Sequence, residues 1–265
     1  MKLFSKSMFV VGLSALGLLF AGCSSTMTPQ QMSDMLEKHP EVLANAIEKN
    51  PDTFMEAVQK AAQAAQMKAR EHEAENEKKR MDDELKNPLK PEIQSERGFI
   101  GSTSAPITIV EYTDFECPFC GRGYKTLEQV RKTYGDKVKI LVKNMPLPMH
   151  PMAMPAAKRF EAIRLQSPEK AEKFYHEVFS NQGKLESGQE KYLDSVVKKV
   201  GADVAKVQKD KESEKVNARI EADIAEAQKF SITGTPGFII NGVSVRGAYP
   251  FETFKTIIDR ELAKN

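Results

Sequence analysis

Apolar runs alternate with amphipathic stretches in the second half of the chain, and this pattern predicts a mixed α/β fold. Residues 107–112 and 138–142 are rich in β-branched side chains and predict two buried strands. Between them, residues 118–134 carry their apolar side chains along one side of a helix. A strand, a helix and a strand in this order predict a parallel pair with a right-handed crossover.

The following segment has a different pattern. Residues 145–230 contain no convincing strand, which predicts a helical insertion at about 146–230. Its helical stretches lie near residues 153–166, 169–179, 189–200 and 203–230, the last broken around Lys211. The apolar run 237–245 contains Asn241-Gly242, a dipeptide that favours the tight turn of a β-hairpin. Residues 251–263 predict a closing amphipathic helix.

Residues 24–87 are strongly helical in character, with few glycines and many Ala, Glu, Lys, Gln and Met residues. A short repeat lies within them, because the pattern of residues 36–43 recurs at 47–54. Each copy holds a proline, which suits the first turn of a helix, where its missing N–H has no partner. We therefore expect helices that begin at Pro40 and Pro51, the second of them long.

Residues 66–84 of the long helix are almost wholly polar, so this stretch cannot form a core by itself. Two interpretations remain open. The helix is either a solvated stalk, or its apolar start meets a second copy, which makes residues 28–86 the expected homo-oligomer interface. Pro88 and Pro91 then end the region. The predicted domains are a helical stalk or oligomerisation region at 23–90 and an α/β domain at 91–265.

The first 22 residues have the pattern of a secretory signal peptide, with two lysines before an apolar run too short to span a bilayer comfortably. The following segment, 19–23, resembles the lipobox of bacterial lipoproteins, which implies that Cys23 is diacylated. By resemblance to the sorting rule of Gram-negative lipoproteins, Ser24 implies the outer membrane, facing the periplasm. An ordinary signal peptide with an unrelated cysteine is the alternative.

Composition narrows the chemistry. The chain has 39 Lys and Arg residues against 37 Asp and Glu, a balance that predicts no nucleic-acid partner. The chain has three cysteines, and the two besides Cys23 are Cys117 and Cys120. These two are too close in sequence for a disulfide between them to join distant segments. A zinc site would need two further ligands, and the four histidines lack ligand-like spacing. We expect no metal and no cofactor.

Cys117 and Cys120 follow a predicted strand and open a predicted helix, the context in which a C-x-x-C pair is typical of redox chemistry. The helix N-terminus favours negative charge, so it lowers the pKa of the Cys117 thiol. We expect Cys117 to be the nucleophile and Cys120, one turn inside the helix, to be the resolving thiol. Pro118 suits the first helical turn.

Residues 111–120 and 234–242 together resemble the DsbA-like branch of the thioredoxin superfamily, and the likeness extends over about residues 98–262. The resemblance implies an α/β thioredoxin fold with a helical insertion. It also implies a cis peptide bond at Pro236, with the Thr235 backbone free to pair with a substrate strand. Pro118 and Phe119 are the further substrate-contact positions that we expect.

Glu111 matches an acid that this family places beneath the active site, and it is predicted to pass protons to or from Cys120. Lys143, at the end of the next strand, is its possible charge partner. The alternative places Glu111 at a solvent-facing strand edge. His150 and His176 are expected to be surface or packing residues of the insertion.

The resemblance implies a periplasmic enzyme that introduces disulfides into exported cysteine-containing proteins and is reoxidised by a quinone-linked membrane partner. Phe119 departs from the histidine found there in the strongest oxidant of the family, which predicts a weaker oxidant. The alternative is an oligomeric isomerase or reductase, kept reduced by a membrane thiol reductase and able to combine both activities. A structural lipoprotein with a vestigial thioredoxin fold is the third hypothesis.

Overall fold

The computed structural model describes residues 27–264, so the predictions for the signal peptide and for Cys23 lie outside the described residues. The helices are α1 Pro29–Lys38, α2 Pro40–Lys49, α3 Pro51–Lys86, α4 Pro118–Tyr134, α5 Ala153–Arg164, α6 Pro168–Ser180, α7 Gly183–Lys199, α8 Val204–Asp210, α9 Glu214–Lys229 and α10 Phe251–Leu262. The strands are β1 Ile100–Gly101, β2 Ile107–Thr113, β3 Val138–Asn144, β4 Gly237–Ile240 and β5 Val243–Arg246. Within this part of the chain, no helix combines the length and the apolar character that a membrane crossing requires.

A five-stranded mixed sheet in the order β1-β3-β2-β4-β5 forms the centre of the α/β domain. Strands β2 and β3 are parallel and α4 connects them, while the other pairs are antiparallel. The predicted thioredoxin-type fold class is confirmed. The short strand β1 was not apparent from the sequence, because two residues are too few to show the alternation of apolar and polar side chains that marks a strand.

The β4–β5 hairpin turns through Asn241 and Gly242, as the dipeptide predicts. Ile240 pairs with Val243, so the turn has two residues, and both have positive φ angles of 45° and 95°. This backbone is the one that matches the twist of the flanking strands, and asparagine and glycine tolerate it best.

Five helices, α5–α9, occupy the interval between β3 and β4, where the sequence predicts a helical insertion. A buried ionic cluster joins this insertion to the sheet. The Arg97 guanidinium donates to both oxygens of Asp223 in α9, at 2.6 and 2.7 Å, and to Glu161 in α5, at 2.8 Å. Asn144 at the end of β3 donates to the same two carboxylates. Removing Arg97 would take from the buried Asp223 carboxylate its ion pair, so the cluster fixes the insertion over the ends of the strands.

The chain divides into two compact units between residues 71 and 72, inside helix α3. In the first unit, a capping box at Thr28 begins α1, and Pro40 and Pro51 begin α2 and α3. Eight of its large apolar side chains are exposed in the single chain, namely Met27, Met32, Val42, Leu43, Phe54, Met55, Val58 and Met67.

The second unit includes the last turns of α3, which contact the sheet. The buried Glu84 carboxylate accepts hydrogen bonds from the backbone and the hydroxyl of Ser244 in β5, at 2.7 and 2.9 Å. Arg80 donates to the Ser244 carbonyl at 3.0 Å. The division therefore lies upstream of the boundary near residue 90 that the prolines suggest, because polar side chains at the end of the helix bind an edge strand.

Candidate active site

The turn between β2 and α4 brings the two cysteines to the end of the sheet. Cys117 is the N-cap residue of α4, and Pro118 occupies the first helical turn, where no backbone donor is lost. The Asp114 carboxylate accepts the backbone N–H groups of Glu116 and Cys117 at 2.8 and 3.3 Å. Strand β2 therefore delivers the turn, and Asp114 holds its backbone in place.

Both cysteines are free thiols and both are buried, with exposed fractions of 3% for Cys117 and 0% for Cys120. The Cys117 thiol donates to the Thr235 carbonyl at 3.6 Å, and the Asp114 N–H donates to Cys120 Sγ at 3.3 Å. Among residues 27–264, no three His, Cys, Asp or Glu side chains are grouped so as to hold a metal ion.

The two thiols have opposite acidities. Hydrogen bonding from the Cys120 thiol, helped by Thr235 and by the backbone N–H groups at the start of α4, outweighs burial and lowers the pKa of Cys117 to about 5. Burial, followed by the interaction with Cys117, raises the pKa of Cys120 well above its usual value. At neutral pH the dithiol therefore holds one thiolate on Cys117 and one proton on Cys120, which is the division that a nucleophile and a resolving thiol require.

The Thr235–Pro236 peptide bond is cis, and this loop faces the cysteines as the family resemblance implies. Helix α4 approaches it closely at Gly123. A Cβ atom on Gly123 would lie 3.0 Å from the Phe238 ring and 3.1 Å from the Pro236 ring. Any larger residue at Gly123 would push the helix away from the loop that accepts the Cys117 thiol.

Glu111 lies on β2 with no exposed surface, so the solvent-facing alternative is wrong. The Tyr175 hydroxyl of α6 donates to its carboxylate at 2.8 Å. Burial raises the pKa of Glu111 to about 7, although the hydrogen bond from Tyr175 lowers it in part. The pKa of Tyr175 is raised by burial and then by the charges of Glu111 and Cys120, among others, which places this pair within electrostatic reach of the resolving thiol.

The suggested pairing of Lys143 with Glu111 is wrong. In the parallel register Lys143 lies opposite Tyr112, and Glu111 lies opposite Val142. Since side chains alternate along a strand, Lys143 and Glu111 point to opposite faces of the sheet. Lys143 forms its ion pair with Glu226 of α9 instead. It therefore fastens α9 to the sheet and does not touch the redox centre.

An aromatic cluster closes the site from the insertion side. Phe115 stacks on Phe179 at a centroid distance of 5.2 Å and meets Phe160 edge-on at 5.3 Å. Tyr175 packs edge-on against Phe179 at 4.9 Å. Tyr175 thus links this cluster to the Glu111 carboxyl, whose burial raises its pKa.

The outer surface of the site is open. Phe119 is 53% exposed, with the Arg122 guanidinium 4.3 Å from its ring centroid, and Pro118 is also exposed. A cleft of about 520 Å³ adjoins this surface and is lined by Glu116, Pro118, His150, Pro151, Gln182, Gly183 and Glu186. Of the four expected substrate-contact positions, Pro118 and Phe119 are therefore accessible, whereas Thr235 is half-buried and Pro236 is buried.

Three polar side chains at the site were not predicted as functional: Asp114, His150 and Gln182. An aspartate shortly before a helix signals a turn that its side chain closes, so Asp114 was recognisable. The Gln182 amide donates to the carbonyls of Phe115 and Cys117 at 3.0 and 2.8 Å. No local pattern marks Gln182, because it reaches the site from a distant helix turn. His150, expected to be a surface or packing residue, bonds to Asp114 at 2.7 Å.

The comparisons with known proteins agree on one family. The model of a thioredoxin family matches residues 93–260. A probable disulfide bond formation protein D of Bacillus cereus is 34% identical over 173 residues, which cover 62% of this chain and 78% of that protein. The oxidised BdbD structure from Bacillus subtilis superposes with a TM-score of 0.58 at 20% identity, covering 66% of this chain and 98% of that one.

A second group of relatives is much longer than this chain. The Na⁺/H⁺ antiporter NhaA 1 of Mycolicibacterium vanbaalenii is 33% identical over 168 residues, which cover 62% of this chain and 26% of the antiporter. The chain thus spans about a quarter of the length of these antiporters.

Proposed function

This chain belongs to the thioredoxin family, in its DsbA-like branch of thiol–disulfide oxidoreductases, and from that premise we propose that it introduces disulfides into exported proteins. The reacting group is the Cys117–Cys120 pair. The observation that carries the proposal is the placement of the two thiols, because Cys117 caps α4 beside the Thr235 carbonyl and Cys120 is fully buried one turn inside the helix, which gives them opposite acidities. Only a pair divided in this way supplies a good leaving thiolate and a separate protonated thiol at neutral pH.

The reaction begins with the oxidised protein. A client thiolate attacks Cys117 Sγ, the Cys117–Cys120 bond breaks, and its electron pair stays on Cys120 Sγ. Cys120 needs a proton because burial raises its pKa, and protonated Glu111 is the proposed donor. A second client thiolate then attacks the client sulfur of the mixed disulfide and releases Cys117 as a thiolate. The client gains one disulfide, and the protein is left as a dithiol that a membrane redox partner must reoxidise.

The proposal also includes a location. We place the protein in the bacterial envelope, facing the periplasm and held in the outer membrane through acylated Cys23. Its support is the sequence pattern of residues 1–24. Exported proteins occupy an oxidising compartment, where a dithiol oxidase has both its substrates and its oxidant.

The first test is the reduction potential of the Cys117–Cys120 pair, measured in glutathione buffers on the chain lacking residues 1–23. A Cys117 pKa of about 5 lies between the values of roughly 3.5 and 7 for the strongest oxidase and for thioredoxin. We therefore expect a potential between those of these two proteins, about −120 and −270 mV, and for a protein that donates disulfides one above about −180 mV. A more negative value would favour an isomerase or reductase. A protein without a reversible two-electron transition would contradict any thiol–disulfide function.

A second candidate function is an oligomeric disulfide isomerase, and the exposed apolar side chains of the N-terminal unit favour it. Val42, Leu43, Phe54, Met55 and Val58 each expose between 39% and 52% of their surface in the single chain. A second copy would cover them and would hold several redox sites around one client.

Sedimentation of the chain lacking residues 1–23 tests this assembly. We expect a mass of two or more monomers, because leaving these apolar side chains in water is unfavourable. Leu43→Glu together with Phe54→Glu should return the mass to that of a monomer, while Glu48→Gln, at a polar position, should not. A monomer at micromolar concentration before any substitution would leave the residues 23–90 as a stalk.

A further inference from the structure

One buried carboxylate connects the redox turn to the loop that opens the helical insertion. Asp114 is 1% exposed, and both of its oxygens are occupied. Oδ1 accepts the N–H groups of Glu116 and Cys117, while Oδ2 accepts the Leu147 N–H at 2.9 Å and lies 2.7 Å from His150 Nδ1. The His150 ring therefore reaches the cysteine turn through a single side chain.

This arrangement places negative charges close together. A Cys117 thiolate forms one residue away from Glu116 and on the turn that the Asp114 carboxylate supports. Glu186 adds a further carboxylate on the wall of the adjoining cleft. Like charges near a thiol oppose its ionisation. A cation in contact with Asp114 would remove much of that opposition.

His150 is the basic side chain in contact with Asp114, and its ring is 21% exposed on the same cleft as Glu116 and Pro118. Burial alone would lower the pKa of His150. The hydrogen bond to Asp114 and the negative charges of Asp114, Cys117 and Glu116 instead raise it above its usual value. Nδ1–H donates to the carboxylate, so the ring gains its second proton without losing this bond.

Electrostatic coupling between two titrating groups is reciprocal. If ionised Cys117 favours the charged form of His150, then charged His150 favours the ionised form of Cys117 by the same free energy. We propose that His150 is a positioning residue of the redox reaction, which as an imidazolium bound to Asp114 keeps the reduced protein in its Cys117 thiolate form. This inference rests on the proposed function, because it assigns His150 a part in setting how strongly the pair oxidises its clients.

The proposal explains how the site can have a cation although Phe119, and not a histidine, lies between the cysteines. The charge comes from a loop outside the C-x-x-C segment, and Asp114 fixes its position. Stabilising the thiolate stabilises the dithiol form, so His150 makes the disulfide a stronger oxidant.

The first experiment requires no substitution. The pKa of His150 is measured by NMR from the pH dependence of its ring signals, in the oxidised and in the reduced protein. The oxidised protein has no Cys117 thiolate, so we expect a His150 pKa about one unit higher in the reduced protein, as for a nearby opposite charge. Equal values in the two forms would overturn the proposal.

The second experiment uses His150→Asn, which keeps an N–H donor for Asp114 and removes the charge. We expect the pKa of Cys117, followed by thiolate absorbance near 240 nm, to rise by about one unit. The equilibrium with glutathione should then shift about tenfold towards the disulfide, or about 30 mV for two electrons. If folded His150→Asn has the same Cys117 pKa and the same reduction potential as the wild type, then His150 is only a structural hydrogen-bond donor.

His176→Asn is the matched control, because His176 is a partly buried histidine that contacts Tyr124 and Arg131 away from the cysteine turn. It should leave both quantities unchanged. The wild-type potential is measured beside these variants, so failure of the proposed function is recognised separately. In that case the wild type itself lacks a reversible transition, whereas failure of this inference leaves the wild type redox-active and the variant equal to it.

Discussion

A Cys117→Ser variant will lose thiol–disulfide exchange with reduced client proteins, by at least about three orders of magnitude in rate. A serine hydroxyl does not form a disulfide, and the environment that lowers the pKa of Cys117 to about 5 cannot make a hydroxyl ionise near neutral pH. The measurement is the oxidation of a reduced, cysteine-containing peptide at pH 7. Folding should be intact, because the serine side chain fits the space of the buried thiol.

The matched variant is Cys120→Ser, in which the nucleophile remains and the resolving thiol is gone. It should attack an oxidised client and stop at the mixed disulfide with Cys117, which accumulates and is visible on a non-reducing gel. Exchange by Cys117→Ser at a rate near that of the wild type would contradict the roles assigned to the two thiols. Accumulation of the adduct on Cys117→Ser, through Cys120, would reverse those roles.

The parts of the fold that were predictable are those that local chemistry decides. The hairpin follows from Asn241-Gly242, whose φ angles few other residue pairs adopt easily. The position of Cys117 at the start of α4 follows from a buried strand, a proline and an amphipathic pattern in succession. Each of these signals lies within a few residues of the feature that it predicts.

The contacts that were not predictable depend on register or on distant segments. Whether Lys143 meets Glu111 depends on a shift of one residue between two strands, and composition does not determine that shift. Arg97 finds Glu161 and Asp223 only after the insertion folds back onto the sheet. Glu84 belongs to a stretch that looks wholly solvated, and its partner Ser244 lies far away in sequence on the edge strand β5. His150 reaches Asp114 in the same way.

Replacing Glu111 by glutamine will stabilise the oxidised protein at alkaline pH and will slow its reaction with clients. The pKa of Glu111 is raised from 4.5 in its unperturbed state to about 7, because the carboxyl is fully buried. Between these two values the folded chain binds a proton that the unfolded chain has lost. The free energy of unfolding therefore falls as pH rises through this window, by roughly 3 kcal/mol for a shift of about 2.5 units.

Glutamine has no proton to lose, and it retains an oxygen for the Tyr175 hydroxyl. The variant and the wild type should have similar stability near pH 4, and the variant should be more stable by about 3 kcal/mol near pH 8. Denaturant unfolding of the oxidised proteins across this range is the measurement, since no cysteine titrates in that form. Glu186→Gln, at an exposed carboxylate, should reproduce the pH dependence of the wild type.

Glu111→Gln also distinguishes the effect of the buried carboxyl on stability from its part in proton transfer. If Glu111 donates the proton that Cys120 needs when it leaves, Glu111→Gln should slow client oxidation at pH 6 by at least about tenfold, although the protein is as stable as the wild type or more so. The raised pKa places Glu111 in its protonated form at that pH. Once each rate is divided by the fraction of client thiol that is ionised, the wild-type rate should therefore fall as pH rises through about 7, and the variant rate should not. If Glu111→Gln is more stable than the wild type but oxidises clients at the same rate, then Glu111 takes no part in the reaction and water supplies the proton to Cys120.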